Sequence, residues 1–362
     1  MKISNVHHIC FNFTLIKKTT SELFDMRKVI IGIHGLGNKP PKLLLQKWWK
    51  DAMIEGLNRS GIQQRLPKFE LVYWADILYE KPLNRWEKDK DSPYFLDEPY
   101  IKAPKDIIDE KHPFKEKLFG FISDQLNNIF LNEDNSLNYS FITNAILKKY
   151  FRDLEVYYME ECKDENKVNS KARNLIQERL VKYITKYKNH EIMIIAHSMG
   201  SIITFDVLSF LIPEARINTL VTIGSPLGLP IVVSKIAAEQ KKKVKARSIM
   251  ATPPGVTSNW FNFADIKDHV AINFELSDDF RENERGILPT DFLVNNNYEI
   301  NGEINHHKSF GYLRTSEFSK ILSDFSADEK LNVWQKVLKT IQVFVEKVKE
   351  QYNIVKDKLA KK

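Results

Sequence analysis

Apolar residues along this chain fall into short, mostly apolar runs, separated by stretches in which they recur every three or four positions. The runs are rich in β-branched and aromatic side chains, as strands covered on both faces are, and they lie at 29–33, 69–74, 192–196, 220–223 and 260–264. Strands that alternate with helical stripes predict βαβ units, in which successive strands are parallel. The pattern therefore predicts an α/β fold with a doubly wound, mostly parallel sheet.

Residues that favour the ends of helices flank the segments of helical periodicity between the predicted strands. Pro41 suits the first turn of a helix and Gly61 its end, with apolar positions at helical spacing between them. Beyond the run at 192–196, apolar residues from 199 to 211 lie nearly all round a helix, and Pro213 follows. This predicts a helix buried in the core directly behind a buried strand.

Residues 75–169 interrupt the alternation of strands and helices. The part at 79–113 is rich in proline, tyrosine and charge and has no steady period, whereas 118–130 and 141–154 have the spacing of amphipathic helices. The segment is longer than connections in compact domains usually are. We therefore predict an inserted helical cap, or lid, over the site. A peripheral helical extension that never contacts substrate is the alternative.

The main domain is predicted to span 26–325, with a shorter segment at each end. Residues 1–25 are predicted to be an N-terminal extension, either an accessory strand or sequence upstream of the domain proper. Ser326 and Glu329 form a capping box, which predicts a C-terminal helix and Lys-rich tail over 326–362. The second half of that helix keeps only a narrow apolar seam, so a solvated tail, a dimer seam and a membrane-surface helix all stay open.

Composition limits the class of protein. The chain of 362 residues is long enough for a large core, and its two cysteines exclude a disulfide framework and a cysteine-based metal site and suit the reducing cytoplasm. The net charge of +7 is diffuse except at 241–245 and the C-terminus, where no aromatic residues interleave the lysines. We therefore predict a cytoplasmic protein that binds no nucleic acid. Weak membrane-surface association stays open, and the oligomeric state is unknown.

Ser198 stands at the corner between the buried strand and the buried helix, in the segment A-H-S-M-G-S. A nucleophile on such a turn is held clear of the sheet in strained backbone geometry, and the turn needs small residues because its limbs nearly touch. Ala196 and Gly200 are small, with alanine replacing the first glycine of the common G-x-S-x-G pattern. The helix N-terminus behind the serine offers N–H groups and a positive dipole end, which stabilise an oxyanion. Ser198 is therefore the predicted nucleophile.

The segment A-H-S-M-G-S resembles the nucleophile elbow of the α/β-hydrolase superfamily, in particular of its lipase-like branch. The resemblance extends from the first strand to about His307, with one large insertion, and it is specific at the elbow and at 32–38. It implies an α/β-hydrolase fold. In such proteins the loop after the first core strand supplies half of the oxyanion hole, so H-G-L-G-N implies the N–H groups of Leu36 and Met199 as the two donors. His34 is predicted to pack this loop rather than to act as the base.

The resemblance also implies the acid and the base, which follow the serine in the chain order Ser, acid, His. Asp268, in D-H-V-A, resembles the D-x-V context of the family's acid, and Asp265 is the alternative. The segment H-H-K-S-F-G-Y resembles the family's H-x-[SD]-[YF] surround in the register that makes His307 the base, with His306 as a neighbour at the pocket rim. The predicted catalytic triad is therefore Ser198, Asp268 and His307.

These residues predict a lipase- or esterase-like serine hydrolase that cleaves carboxylic esters through an acyl-enzyme. The apolar stripes of the insertion favour an uncharged acyl ester as the small-molecule substrate, with its acyl chain between the elbow and the inserted helices. No cofactor or metal is expected, because no carboxylate or cysteine cluster accompanies the two adjacent histidines. An acyltransferase or thioesterase on the same triad and a non-catalytic hydrolase-fold binding protein are the alternatives.

Overall fold

The computed structural model describes residues 28–104, 157, 168–229, 232, 233, 236, 250–271 and 275–327. The strands in these ranges are β1 (Lys28–Ile33), β2 (Lys68–Val72), β3 (Glu191–His197), β4 (Ile217–Ile223), β5 (Val256–Ala264), β6 (Pro289–Leu293), β7 (Glu299–Ile300) and β8 (Glu303–Ile304). The helices are α1 (Lys42–Arg59), α2 (Ala75–Leu78), α3 (Val168–Lys186), α4 (Met199–Asp206), α5 (Leu276–Asp279), α6 (Ser309–Leu313) and α7 (Ser316–Ser326).

Several predicted segments lie outside the described residues. They are the N-terminal extension at 1–25, the two inserted helices at 118–130 and 141–154, and the C-terminal helix. Ser326, the predicted start of that helix's capping box, is the last residue of α7. Within the described ranges, none of the helices combines the length and apolar character that crossing a bilayer requires.

Six strands form one sheet in the order β2-β1-β3-β4-β5-β6, and every neighbouring pair is parallel. The predicted α/β fold with a parallel sheet is confirmed, and β3, the strand before Ser198, lies in the sheet interior. β6 was not predicted: it begins with Pro289 and includes polar residues, which an edge strand tolerates. The hairpin β7-β8 turns through Asn301 and Gly302, both with positive φ.

Helices cover both faces of the sheet. On one face Val29, Ile31 and Ile194 belong to a core that includes side chains of α3 and α4. On the other face Ile30 and Met193 belong to a core that includes side chains of α1, α6 and α7. Because both faces of these strands are buried, their sequences are continuous apolar runs rather than alternating ones.

β2 ends at Val72, two residues before the predicted end of this strand. The N–H of Trp74 donates to His34 Nε2 at 3.0 Å, and its indole N–H donates to the His34 carbonyl at 2.9 Å. Because the Trp74 backbone bonds a side chain instead of a neighbouring strand, the ladder stops before it. The same contacts tie this segment to the loop after β1.

The buried helix predicted for 199–211 changes type along its length. All residues of α4 are buried, as expected, but at Val207 the chain enters a π-helical turn, Val207–Leu211. The Ile212 N–H closes this turn on the Val207 carbonyl at 2.9 Å. No residue in the stretch explains the change.

Asp206, the last residue of α4, is buried among polar partners. Arg173 of α3 and the Tyr157 hydroxyl each donate to Asp206 Oδ2 at 2.9 Å. Gln177 Nε2 donates to the Tyr157 oxygen at 2.9 Å. The network therefore ties α3 to the helix behind Ser198 and to residue 157 of the predicted insertion.

The strand order creates a crevice at the centre of the sheet. From β1 the chain runs outward to β2, then returns to the other side of β1 as β3. In open parallel sheets, ligands bind at such a reversal, outside the carboxyl ends of the two strands. The loop that begins at His34 and the turn at Ser198 both start there.

Candidate active site

Ser198 has a backbone conformation that few non-glycine residues adopt. Its φ is 54° and its ψ −127°, and its N–H donates to the Ile223 carbonyl at 3.1 Å. The turn brings its limbs together: a Cβ at Gly200 would lie 2.7 Å from the Ile33 carbonyl oxygen. A Cβ at Gly35 would lie 2.7 Å from the Ser198 Cβ. The corner therefore has the strain and the close approach expected of a nucleophile elbow.

A chain of hydrogen bonds runs from Ser198 through His307 to Asp268. His307 Nε2 lies 2.9 Å from Ser198 Oγ, and His307 Nδ1 lies 3.0 and 2.9 Å from Asp268 Oδ1 and Oδ2. Since an ionised carboxylate only accepts, Nδ1 carries the proton of the neutral ring, and Nε2 accepts from the serine hydroxyl. An imidazole so placed can take the proton of an attacking hydroxyl.

The three side chains come from different connections of the fold. Ser198 follows β3, Asp268 follows β5, and His307 lies between β8 and α6. Met199, directly after the serine, is the first residue of α4, so its N–H belongs to a helix N-terminus. The structure thus brings together the predicted triad residues, which are far apart in sequence.

Asp268 is buried and receives further hydrogen bonds. The Tyr312 hydroxyl donates to Oδ2 at 2.7 Å, and the Val270 N–H donates to Oδ1 at 2.9 Å. Burial alone would raise the pKa of Asp268, but attraction to His307 and these hydrogen bonds outweigh it and hold the pKa below its ordinary value. Asp268 is therefore ionised at neutral pH.

Asp265 and His306 form a separate pair beside the first. His306 Nδ1 lies 3.1 Å from Asp265 Oδ2, which also accepts from the Asn296 N–H at 2.6 Å. The Asp265 N–H donates to the Tyr312 oxygen at 2.9 Å. Of the two predicted alternatives, the structure therefore pairs Asp268 with His307 and leaves Asp265 to His306.

His197 holds the backbone of the predicted base. Its Nε2 lies 2.8 Å from the His307 carbonyl oxygen, so Nε2 carries the proton, and the two ring centroids are 4.9 Å apart. Burial first, and then repulsion from His307, lowers the pKa of His197 well below its ordinary value, so the ring stays neutral.

His34 is buried in the loop after β1, where it packs against Trp74. His34 Nδ1 lies 2.8 Å from the Gly35 carbonyl oxygen. Burial, followed by the charge of Lys39, lowers the pKa of His34 to about 3. The half-buried Leu36 follows, and the Lys39 ammonium binds its carbonyl oxygen.

The first part of the predicted insertion contacts the loop that carries His307. In that loop, Lys308 Nζ lies 2.6 Å from Glu98 Oε2. Just before β7, the Tyr298 hydroxyl donates to the Pro99 carbonyl at 2.6 Å. Burial would raise the pKa of Glu98, but Lys308 outweighs it and lowers the pKa. This part of the insertion therefore borders the site.

Two contributors to the site were not predicted. Tyr312 stands in the segment H-H-K-S-F-G-Y, but nothing in its spacing indicates a contact with Asp268. His197 stands next to the serine, which was the one signal for its place. Among the described residues, no group of three or more His, Cys, Asp and Glu side chains is arranged to hold a metal ion.

Comparison with known proteins gives no family. Neither a scan against models of protein families nor a search of curated proteins finds a significant match to this chain. The geometry of the site is therefore the basis on which a function can be proposed.

Proposed function

We propose that this protein is a serine hydrolase that cleaves carboxylic esters through Ser198, His307 and Asp268. The observation that carries the proposal is the hydrogen-bonded chain from the Ser198 hydroxyl through the His307 ring to a buried carboxylate. The strained serine and its position at the sheet's crevice support the same reading. A binding protein has no need of a serine held in this way, so the geometry favours an enzyme.

In the proposed reaction, Ser198 Oγ attacks the acyl carbon of the ester while His307 Nε2 takes the hydroxyl proton. The N–H groups of Leu36 and Met199 stabilise the resulting oxyanion. Collapse breaks the bond to the alkoxy oxygen, which takes the proton from His307 and leaves as the alcohol. Water then attacks the acyl-enzyme while His307 takes one of its protons; the bond from the acyl carbon to Ser198 Oγ breaks, Ser198 Oγ regains that proton from His307, and the carboxylic acid is released. Asp268 keeps the ring oriented and stabilises its protonated form.

The proposal includes an α/β-hydrolase fold, a cap and a cytoplasmic location. Serine, acid and histidine occur in the chain order of that fold, and the serine lies on a strand-turn-helix corner. The contacts of Glu98 with Lys308 and of Pro99 with Tyr298 support an insertion that covers the site. The low cysteine count supports the cytoplasm.

Labelling with a fluorophosphonate probe tests the proposed nucleophile. The wild-type protein is expected to be labelled at Ser198, located by peptide mass spectrometry, and Ser198→Ala is expected to be unlabelled. Ser316→Ala, which removes an exposed hydroxyl at the start of α7, is the matched control and should label fully. An unlabelled wild-type protein, or an adduct on another residue, would contradict the proposal.

A further inference from the structure

Both ring nitrogens of His34 are engaged in hydrogen bonds. Nδ1 lies 2.8 Å from the Gly35 carbonyl oxygen, and Nε2 lies 3.0 Å from the Trp74 backbone nitrogen. A carbonyl only accepts and a backbone N–H only donates, so the ring is the neutral tautomer with its proton on Nδ1. The Trp74 indole stacks on the ring at a centroid distance of 4.7 Å and fixes its plane.

The bond from Nδ1 determines the orientation of the peptide that joins Gly35 to Leu36. In a trans peptide the carbonyl oxygen and the N–H point in opposite directions, and the described residues contain no cis peptide. With the Gly35 oxygen turned to His34, the Leu36 N–H faces away from it. In the described part of the chain, no residue accepts a hydrogen bond from the Leu36 N–H.

Gly35 lies against the nucleophile. A Cβ at this position would be 2.7 Å from the Ser198 Cβ and 3.2 Å from its Oγ. The peptide that follows Gly35 therefore begins beside the nucleophile that would attack an acyl group. Whether it presents an N–H or a carbonyl oxygen decides whether it stabilises or repels an oxyanion.

We propose that His34 is a positioning residue of the oxyanion hole, whose Nδ1–H holds the Gly35–Leu36 peptide in the orientation that presents the Leu36 N–H to substrate. The inference deepens the proposed function and rests on it. It assigns His34 a role beyond packing: glycine at position 35 lets the peptide rotate easily, and the hydrogen bond opposes that rotation. The Lys39 ammonium, which binds the Leu36 and Gly37 carbonyls, holds the next part of the loop.

The His34 ring is neutral at neutral pH and keeps its proton on Nδ1. Burial and then the charge of Lys39 lower the pKa of His34 to about 3. Protonation would place a second N–H against that of Trp74, so the environment selects the neutral ring. The hydrogen bond to Gly35 therefore does not depend on pH in the range where a histidine base works.

Two variants that keep different parts of the ring test the inference. In His34→Asn the amide nitrogen stands near the position of Nδ1 and can still donate to the Gly35 carbonyl. In His34→Gln the amide reaches the position of Nε2, so it can accept from the Trp74 N–H but leaves the Gly35 carbonyl without its donor.

Loss of an oxyanion donor lowers kcat by about 10²–10³-fold. We expect His34→Gln to lower kcat for p-nitrophenyl acetate at least tenfold with little change in KM. His34→Asn should retain most of the wild-type kcat. A packing role predicts similar losses in both, so equal kcat values would overturn the inference.

Structural readouts decide the inference independently of turnover. Nitrogen NMR of the wild-type ring should show the Nδ1–H tautomer of His34 between pH 5 and 8, and an Nε2–H tautomer would overturn the inference even if neither variant folds. Crystal structures should show the 35–36 peptide turned or mobile in His34→Gln and unchanged in His34→Asn. An unchanged peptide in both would also overturn it. If the wild type is not labelled by fluorophosphonate, the proposed function fails. The tautomer and the peptide orientation then still test whether the His34 Nδ1–H holds the Gly35–Leu36 peptide.

Discussion

Removal of one hydroxyl, in Tyr312→Phe, tests how the predicted acid is held. The Tyr312 side chain is 0% exposed; its hydroxyl donates to Asp268 Oδ2 at 2.7 Å and accepts from the Asp265 N–H at 2.9 Å. A hydrogen bond to a charged group contributes about 1.5–3 kcal/mol, and a buried N–H left without its acceptor costs about 1–3 kcal/mol. The two losses share one atom and are not additive, so we expect the free energy of unfolding at pH 7 to fall by about 2–4 kcal/mol.

The loss should depend on pH because Asp268 is the acceptor. The pKa of Asp268 is lowered in the folded protein, so its ionisation contributes stability above the unfolded-state pKa of about 3.9. That contribution disappears as the pH falls through the lowered, folded-state pKa. The hydrogen bond from Tyr312 supplies part of this stabilisation by the ionised Asp268. The difference in stability between wild type and Tyr312→Phe should therefore be largest above about pH 5 and should narrow as the pH falls toward 3.

Urea denaturation at pH 7, 5 and 3 measures this difference. Tyr298→Phe is the matched control, because Tyr298 is equally buried but its hydroxyl donates to a neutral carbonyl, that of Pro99, at 2.6 Å. Its loss should be about 1 kcal/mol and nearly independent of pH. Ester turnover by Tyr312→Phe should fall far less than the ~10⁴-fold of losing the acid's charge, since Asp268 still bonds His307. A stability difference of equal size at all three pH values would refute the coupling of Tyr312 to Asp268.

Three further results are expected. Asp268→Asn should lower kcat by about 10⁴-fold without unfolding the protein, and Asp265→Asn should lower it far less; the reverse ranking in an ester assay would exchange the two roles. Arg173→Met leaves the buried Asp206 carboxylate without this cation and should lower the free energy of unfolding by about 3–5 kcal/mol in urea titrations, and a loss near zero would contradict a buried pair. With p-nitrophenyl esters, kcat/KM should rise from acetate to octanoate, since each buried methylene contributes about 0.8 kcal/mol; a steep fall after acetate would favour a small esterase or deacetylase.

The parts of the fold that the sequence predicted are those with local signals. β1 and β3 are nearly continuous apolar runs, and β4 and β5 contain the shorter apolar clusters at 220–223 and 260–264, because these segments are buried on both faces. Such clusters are visible in the sequence itself. The pairing of Ser198 with His307 spans 109 positions, so no periodicity could indicate it. It was predicted from the resemblance of two short segments to a known elbow and to a known histidine surround.

The parts that were missed depend on tertiary contacts or on weak signals. β6 is a short edge strand with polar residues. β2 ends before its predicted end because the Trp74 N–H donates to His34 instead of to a neighbouring strand. The hairpin β7-β8 carries Asn301-Gly302 at its turn, a dipeptide that favours tight hairpins, so that signal was present in the sequence. Tyr312 had no such signal, since its role requires α6 to lie beside the loop after β5.

The orientation of the site has a different physical origin from the fold that carries it. Apolar burial brings the loops after β1, β3 and β5 to one edge of the sheet, but it is not directional. Hydrogen bonds are directional, and each part of the site has one from a buried polar side chain: Tyr312 to the proposed acid, His197 to the backbone of the proposed base, and His34 to the peptide before Leu36. Burying such groups is unfavourable unless their hydrogen bonds are made, so each partner constrains the loop that it binds. A chain with apolar side chains at these three positions would therefore retain the sheet and bring the same loops together, but the proposed acid, the proposed base and the peptide before Leu36 would each lose one of the hydrogen bonds that orient them.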